Sequence, residues 1–179
     1  MIHIAICDIA ENEITVLKNQ LHNVCEDVCK ESVHISVFNN TFALITHILD
    51  EIKGQVDMIF IEVCKENFDG ISAAKTILNI YPHIKVIFMS GNVENSKEIF
   101  KVNPIYFLVK PIEDKYLHDA LDKAVRLVNE DSADIIRIGN GVGKNRIITI
   151  KMSDIYYIKS DRRKITFHMS DNQYSCYMK

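Results

Sequence analysis

The chain has 179 residues, 47% of them hydrophobic and 25% charged, a composition that suits one globular domain plus a small second segment and excludes a disordered chain. Its net charge of −3 conceals two halves of opposite sign: residues 1–134 hold 12 basic and 21 acidic residues, whereas residues 135–179 hold 9 basic residues against three aspartates, which suggests an anionic partner for the second. No apolar run approaches the roughly 18 residues of a membrane span, and the N-terminal MIHIAICDIAENE lacks the basic segment of a signal peptide, so a cytoplasmic protein with no membrane partner is expected.

In chain order, the first half alternates two periods. Short apolar runs at 2–7, 33–38, 57–63, 84–89 and 105–109 predict strands. Met58–Ile61 and Val86–Met89 are apolar at every position, as parallel strands covered on both faces require. Between the strands, Ile14, Leu17, Leu21, Val24 and Val28 mark a first helix. Phe42, Ile45, Ile48 and Leu49 mark a second, and Ile71, Ala74, Ile77 and Leu78 a third. Residues 94–101 suit a short fourth, and Leu117, Ala120, Leu121, Ala124, Val125 and Val128 a fifth. Five β–α repeats predict an α/β fold, a doubly wound five-stranded parallel sheet.

Asp131-Ser-Ala-Asp134 is polar, with 132–134 read as a linker between a domain at 1–131 and a segment at 135–179. Beyond it the period falls to two. Strands are expected at 135–138, 146–150, 154–159, 164–168 and 173–177, a small all-β segment with turns at GNGVGKN, KMS, SDRR and MSDN. In GNGVGKN, Gly139, Gly141 and Gly143 are expected to supply positive φ in a hairpin, since the run precedes a strand and not a helix, which argues against a phosphate loop. The five cysteines are odd in number, and no histidine pair completes a zinc site, so reduced thiols are expected.

Ligands of a doubly wound sheet gather at the carboxyl ends of its strands. Asp8, Glu62, Ser90 and Lys110 stand there, within Cys7-Asp8-Ile9, Ile61-Glu62-Val63, Met89-Ser90-Gly91 and Val109-Lys110-Pro111. This constellation resembles the response-regulator receiver domain, a flavodoxin-like fold. In that family an acidic pair follows the first strand, a phospho-accepting aspartate ends the third, Thr or Ser ends the fourth, and Lys-Pro follows the fifth. The resemblance implies magnesium-assisted transfer of a phosphoryl group, with Lys and hydroxyl contacting it and an aromatic residue turning inward. Phe107 holds the switch-aromatic position.

Two residues depart from that pattern. Glu62 replaces the aspartate and extends the carboxylate by one methylene, where a displacement of about 1 Å costs roughly a hundredfold in rate. Ile9 replaces the second acid and removes a metal ligand, so no cofactor is expected and magnesium at Asp8 and Glu62 is at most weak. The remaining Asp8, Glu62 and Lys110 admit two readings: a structural Glu62–Lys110 ion pair in a degenerate pocket, or a Glu62 that imitates the acyl phosphate and holds Phe107 in an active-like position.

Residues 151–168, KMSDIYYIKSDRRKITFH, resemble the opening of a LytTR-type DNA-binding domain, with Ile-Tyr-Tyr-Ile as a core strand and Ser-Asp in a turn. The family's helix and later strands have no counterpart before Lys179, so the segment matches the N-terminal part only. Lys159, Arg162, Arg163 and Lys164 are the candidate contacts to DNA phosphates. The combined reading is a two-component transcriptional regulator with a degenerate phospho-acceptor site. The alternative is a phosphorylation-independent interaction module that titrates a histidine kinase or an intact regulator, or forms a homodimer. No catalytic triad is visible, and an enzyme is not expected.

Overall fold

Alternation within the central strands decides which side of the sheet each residue serves. The computed structural model describes residues 1–29, 31–63, 69–91, 99, 102–133, 135–139, 147–169 and 172–177. Five parallel strands, β1 (Ile2–Cys7), β2 (Val33–Phe38), β3 (Met58–Glu62), β4 (Lys85–Ser90) and β5 (Tyr106–Val109), form a sheet in the order β2-β1-β3-β4-β5. In β3, Met58 and Phe60 point to one face while Ile59 and Ile61 point to the other, and all are at most 1% exposed. The first face packs against α1 (Glu11–Val28) and α4 (Asp114–Ala133) through Leu17, Leu21, Leu117 and Leu121. The second packs against α2 (Thr41–Thr46) and α3 (Gly70–Ile80) through Leu44, Ile48, Ala74 and Ile77. The doubly wound sheet read from the sequence is therefore the fold. No helix among the described residues is long and apolar enough to cross a membrane.

Side chains from the loops start two of the helices. Asn40 accepts a hydrogen bond from the Ala43 amide at 2.7 Å, and Asp69 accepts one from the Ser72 amide at 2.8 Å. The hydrogen bonds from Ser72 hold the Asp69 carboxyl below its usual range. Gly54, at φ +76°, lies against the Tyr81 ring, which a Cβ would strike.

Residues 1–128 and 129–179 form two compact units. In the second, β6 (Ile135–Gly139) pairs with β7 (Ile147–Lys151), and β8 (Tyr157–Asp161), β9 (Lys164–His168) and β10 (Gln173–Tyr177) form an antiparallel sheet in the order β10-β9-β8. Ile150 and Phe167 are its buried centre, with Ile136, Ile155, Ile165 and Tyr174 packed around them.

Several expectations need correction. The second helix buries Leu44 and not Phe42, which is 79% exposed, while Ile48 is buried as expected. A π-helical turn at His47–Glu51 follows α2 and breaks the regular phase assumed for that segment. α4 runs on to Ala133, through most of the stretch read as a linker, since nothing in Asp131-Ser132-Ala133 stops a helix as Gly or Pro would. Ile-Tyr-Tyr-Ile is not a core strand: Met152–Asp154 form a 3-10 turn, β8 starts at Tyr157, and Tyr156, Tyr157 and Ile158 are 75%, 57% and 54% exposed. Ile155 and Ile158 are three apart, so extended chain cannot send both to one face, and only Ile155 joins the core. The chain reverses at Arg162-Arg163, with Arg162 at φ 53°, and not at Ser160-Asp161, which belong to β8. Gly139 likewise ends β6 opposite Ile147 and is not a turn residue. The rest of GNGVGKN lies outside the described residues, as does the predicted fourth helix apart from Ile99.

Leu121→Ala is expected to cost about 2–5 kcal/mol, because it empties a fully buried site. Phe42→Ala should cost less than about 0.5 kcal/mol, as surface changes do. Urea denaturation of both variants checks the assignment, and equal losses would refute it.

Candidate functional site

Parallel pairing brings two acids side by side. Cys7 is in register with Ile61, so the residues that follow, Asp8 and Glu62, emerge as neighbours at the carboxyl ends of β1 and β3. The sheet order turns back at this point, since β2 lies on one side of β1 and β3 to β5 on the other. Asp8 is 1% exposed, and its Oδ1 accepts the Ala10 amide at 3.0 Å, a local turn that leads into α1. The Glu62 side chain is 13% exposed, with Oε2 3.5 Å from the Ile9 amide.

Lysine joins these two acids from the far side of the site. Lys110 follows β5, and its amide donates to the Ser90 carbonyl at 2.9 Å, which ties the end of β5 to the end of β4. Its Nζ donates to Asp8 Oδ2 at 2.5 Å and to Glu62 Oε1 at 2.8 Å. Burial works against the Lys110 charge, but the hydrogen bonds and charges of Asp8 and Glu62 outweigh it, and the ammonium titrates above its ordinary value. Burial, reinforced by Asp8 and Glu62, pushes the neighbouring Cys7 thiol up to about 12, so it carries no reactive thiolate near neutral pH.

Ser90 is 1% exposed and donates its proton to the Val63 carbonyl at 2.9 Å. Phe107 lies in register with Phe88 and is partly buried against the α2–α3 face of the core. The cluster thus brings together Asp8, Glu62 and Lys110, with Ser90 alongside and Phe107 one strand away. Ile9 turns outward and is 56% exposed.

Among the described residues, the donor set does not fit a resident magnesium ion. Two carboxylates face the site, each with an oxygen already taken by Lys110, and Ile9 supplies no side-chain oxygen. Among the described residues no group of three or more His, Cys, Asp or Glu is arranged to hold a metal. Gly70 is a site residue that the sequence reading missed. A Cβ there would collide with the Glu62 carbonyl, so a glycine lets α3 begin directly against the end of β3. The Asp69-Gly70 pair at a helix start is the signal that could have found it. Lys159, Arg162, Arg163 and Lys164 are all exposed around the β8–β9 hairpin of the second unit.

A parallel sheet in this order, with acid, acid, hydroxyl and lysine at its strand ends, is the architecture of a receiver-type signalling domain. The model of the response regulator receiver domain matches residues 9–122, and the chain belongs to that family. It is 25% identical over 127 residues to the transcriptional regulatory protein ZraR of Escherichia coli K12, covering 67% of this chain and 29% of that protein. The ZraR protein of Salmonella typhimurium is 28% identical over 81 residues, 44% of this chain and 18% of its own length. The chain therefore aligns to less than a third of these curated relatives. Among solved structures, a response regulator receiver domain protein from Clostridium thermocellum superposes with a TM-score of 0.60 at 16% identity, covering 74% of this chain and 98% of that one. A two component transcriptional regulator AraC from Clostridium phytofermentans gives 0.60 at 22% identity over the same shares. At these identities the likeness is one of fold.

Lys110→Met leaves two adjacent carboxylates without their cation. The expected loss at pH 7 is roughly 3–5 kcal/mol, toward the lower end because some solvent reaches Lys110 and Glu62. A lysine raised on folding stabilises fully below its unfolded value of 10.5 and loses that contribution as pH rises through the folded value. The gap between wild type and Lys110→Met should therefore hold constant from neutrality to about pH 10 and narrow above it. Urea denaturation across that range checks both statements, and a gap that widens with alkali would reject the ion pair.

Proposed function

We propose that this chain is a response regulator whose receiver works without a phosphoryl cycle, its acceptor position held by a standing Glu62–Lys110–Asp8 ion pair. The observation that carries this reading is the Lys110 ammonium, within hydrogen-bond distance of both carboxylates. An acceptor oxygen so engaged, on a side chain one methylene too long and with no second acid to help hold a metal, is poorly placed for in-line attack. The structural ion pair is favoured over imitation of an acyl phosphate, because Glu62 brings one negative charge where a phosphoryl group brings nearly two, and Ser90 directs its proton to the Val63 carbonyl.

The output proposed for the full protein is transcriptional control through the basic β segment, of LytTR type, on duplex DNA. Support comes from the four exposed cations at one hairpin and from Tyr156 and Tyr157, exposed beside them. Partners on the receiver side, a histidine kinase, another regulator or a second copy, would meet it by docking and not by chemistry. On this reading residues 1–131 are the receiver, 132–134 the linker and 135–179 the DNA-facing part.

Incubation with acetyl phosphate and magnesium, followed by intact-mass measurement, should give no phosphoryl adduct on the wild type. The double variant Ile9→Asp/Glu62→Asp restores both acids and should gain one. A wild-type adduct that Glu62→Ala abolishes would overturn the proposal.

Binding to duplex DNA should weaken linearly in log–log plots against salt. Replacing Lys159, Arg162, Arg163 and Lys164 together by alanine should flatten the slope by about 0.9 for each phosphate that the hairpin no longer neutralises. An unchanged slope would remove the hairpin from the DNA interface.

A further inference from the structure

Among the described residues, the antiparallel sheet of the second unit presents one face that its core leaves open. Register along β8, β9 and β10 sends alternate residues to opposite faces. Ile165, Phe167, Tyr174 and Cys176 share the side that packs with Ile150, and Phe167 is buried there. The other side carries three cross-strand rows. Tyr157, His168 and Gln173 form the first row, and Lys159, Thr166 and Ser175 the second. Asp161, Lys164 and Tyr177 form the third. Lys159, Lys164 and Gln173 are exposed, and Tyr157 and Tyr177 are 57% and 58% exposed.

The two tyrosines stand at opposite corners of this face. Four residues along the strands and two strands across set them about 17 Å apart. The Tyr157 ring stacks on His168, with centroids 4.2 Å apart and planes at 13°, so one ring face is held while the other meets solvent. The line from Tyr157 to Tyr177 crosses Thr166, whose Oγ1 lies 2.9 Å from Ser175 Oγ. Lys159 and Lys164 both fall on one side of that line, and the neutral Gln173 and Ser175 on the other. Asp161, in register with Lys164, is the single acid in the three rows. Rings at both ends of a track with cations along one flank suit an unpaired nucleic-acid strand. Its bases stack on aromatic rings whatever their sequence, and its phosphates follow the positive charge. A duplex keeps its base faces covered, so it has nothing to offer the two rings.

We propose that the open face of the β8–β9–β10 sheet binds single-stranded DNA, with bases stacked on Tyr157 and Tyr177 and phosphates beside Lys159 and Lys164. DNA is chosen over RNA because the hydroxyls of the middle row, on Thr166 and Ser175, engage each other and not a 2′-hydroxyl. The site is argued from the sheet face alone and does not depend on duplex binding by the hairpin.

The test titrates the full chain with a short fluorescein-labelled oligothymidylate at low salt and follows anisotropy. The chain has no tryptophan, so its intrinsic emission comes from tyrosine, and bases stacked on Tyr157 and Tyr177 should quench part of it. Tyr157→Ala and Tyr177→Ala, their fold checked by circular dichroism, should each weaken binding by about five- to a hundredfold. Tyr157→Phe and Tyr177→Phe keep the ring and should bind as the wild type does. Tyr116→Ala, which removes an exposed tyrosine of α4, should leave the affinity unchanged. Wild-type affinity in both alanine variants, binding without quenching, or tighter binding of the matching ribo-oligonucleotide would overturn the proposal. A duplex of the same length separates the two readings. Single-strand binding without duplex binding would sink the hairpin reading and uphold this one, and duplex binding alone would do the reverse.

Discussion

The ammonium of Lys110, set between Asp8 and Glu62, is the interaction on which the carboxyl edge of the sheet depends. The strand order makes β1 and β3 neighbours, so it delivers two carboxylates side by side whether or not anything balances them. β5 lies two strands from β3, roughly 9.6 Å at the usual spacing. A lysine is the ordinary cation long and slender enough to reach back across that gap. What it crosses is the end of β4, where Ser90 is small and turns its hydroxyl to the Val63 carbonyl. A bulky residue at Ser90 would stand in the path of the Lys110 side chain. Ser90 is thus positioned as much for what it leaves open as for the bond it makes.

Charge in this site balances incompletely. One ammonium offsets one of two carboxylates, and the residual negative charge is visible in the neighbours: the Asp8 and Glu62 charges help raise the Cys7 thiol, and backbone amides of Ile9 and Ala10 turn toward the two acids. A divalent ion would balance both carboxylates, but it would have to displace Lys110 from oxygens already engaged and find further oxygen ligands where Ile9 offers none. The same features that stabilise the folded edge therefore oppose the metal-dependent chemistry. Glutamate serves the ion pair well, because its extra methylene carries the carboxylate outward toward a cation arriving from β5.

How legible this was in the sequence depends on how many constraints each residue answers to. Met58–Ile61 and Val86–Met89 are covered on both faces, so nothing but apolar residues suits them and the strands read directly. α4 buries Leu117, Ala120, Leu121, Ala124, Val125 and Val128 as their spacing implies. α2 read poorly because a π-helical turn shifts the phase, and five residues of such geometry leave no compositional mark. In the second unit, β-branched and aromatic residues are common on both faces, and Ile-Tyr-Tyr-Ile could not reveal that three of its residues face solvent. At the site, strand-end logic found Asp8, Glu62, Ser90 and Lys110. It could not find the Val63 carbonyl as the acceptor for Ser90, since a backbone oxygen has no residue type to betray it.

If the receiver works without a phosphoryl cycle, as proposed, its input must arrive elsewhere. An effector shifts a conformational equilibrium only by the difference in its free energy of interaction with the two states. Phosphorylation supplies that difference by adding charge at the strand ends, whereas here Lys110 already engages both carboxylates. On that proposal, control falls to features outside the site, such as docking on exposed surface. α1 begins at Glu11, and the Ala10 amide before it donates to Asp8 Oδ1, so a partner docked on α1 acts on the segment that leads out of the ion pair.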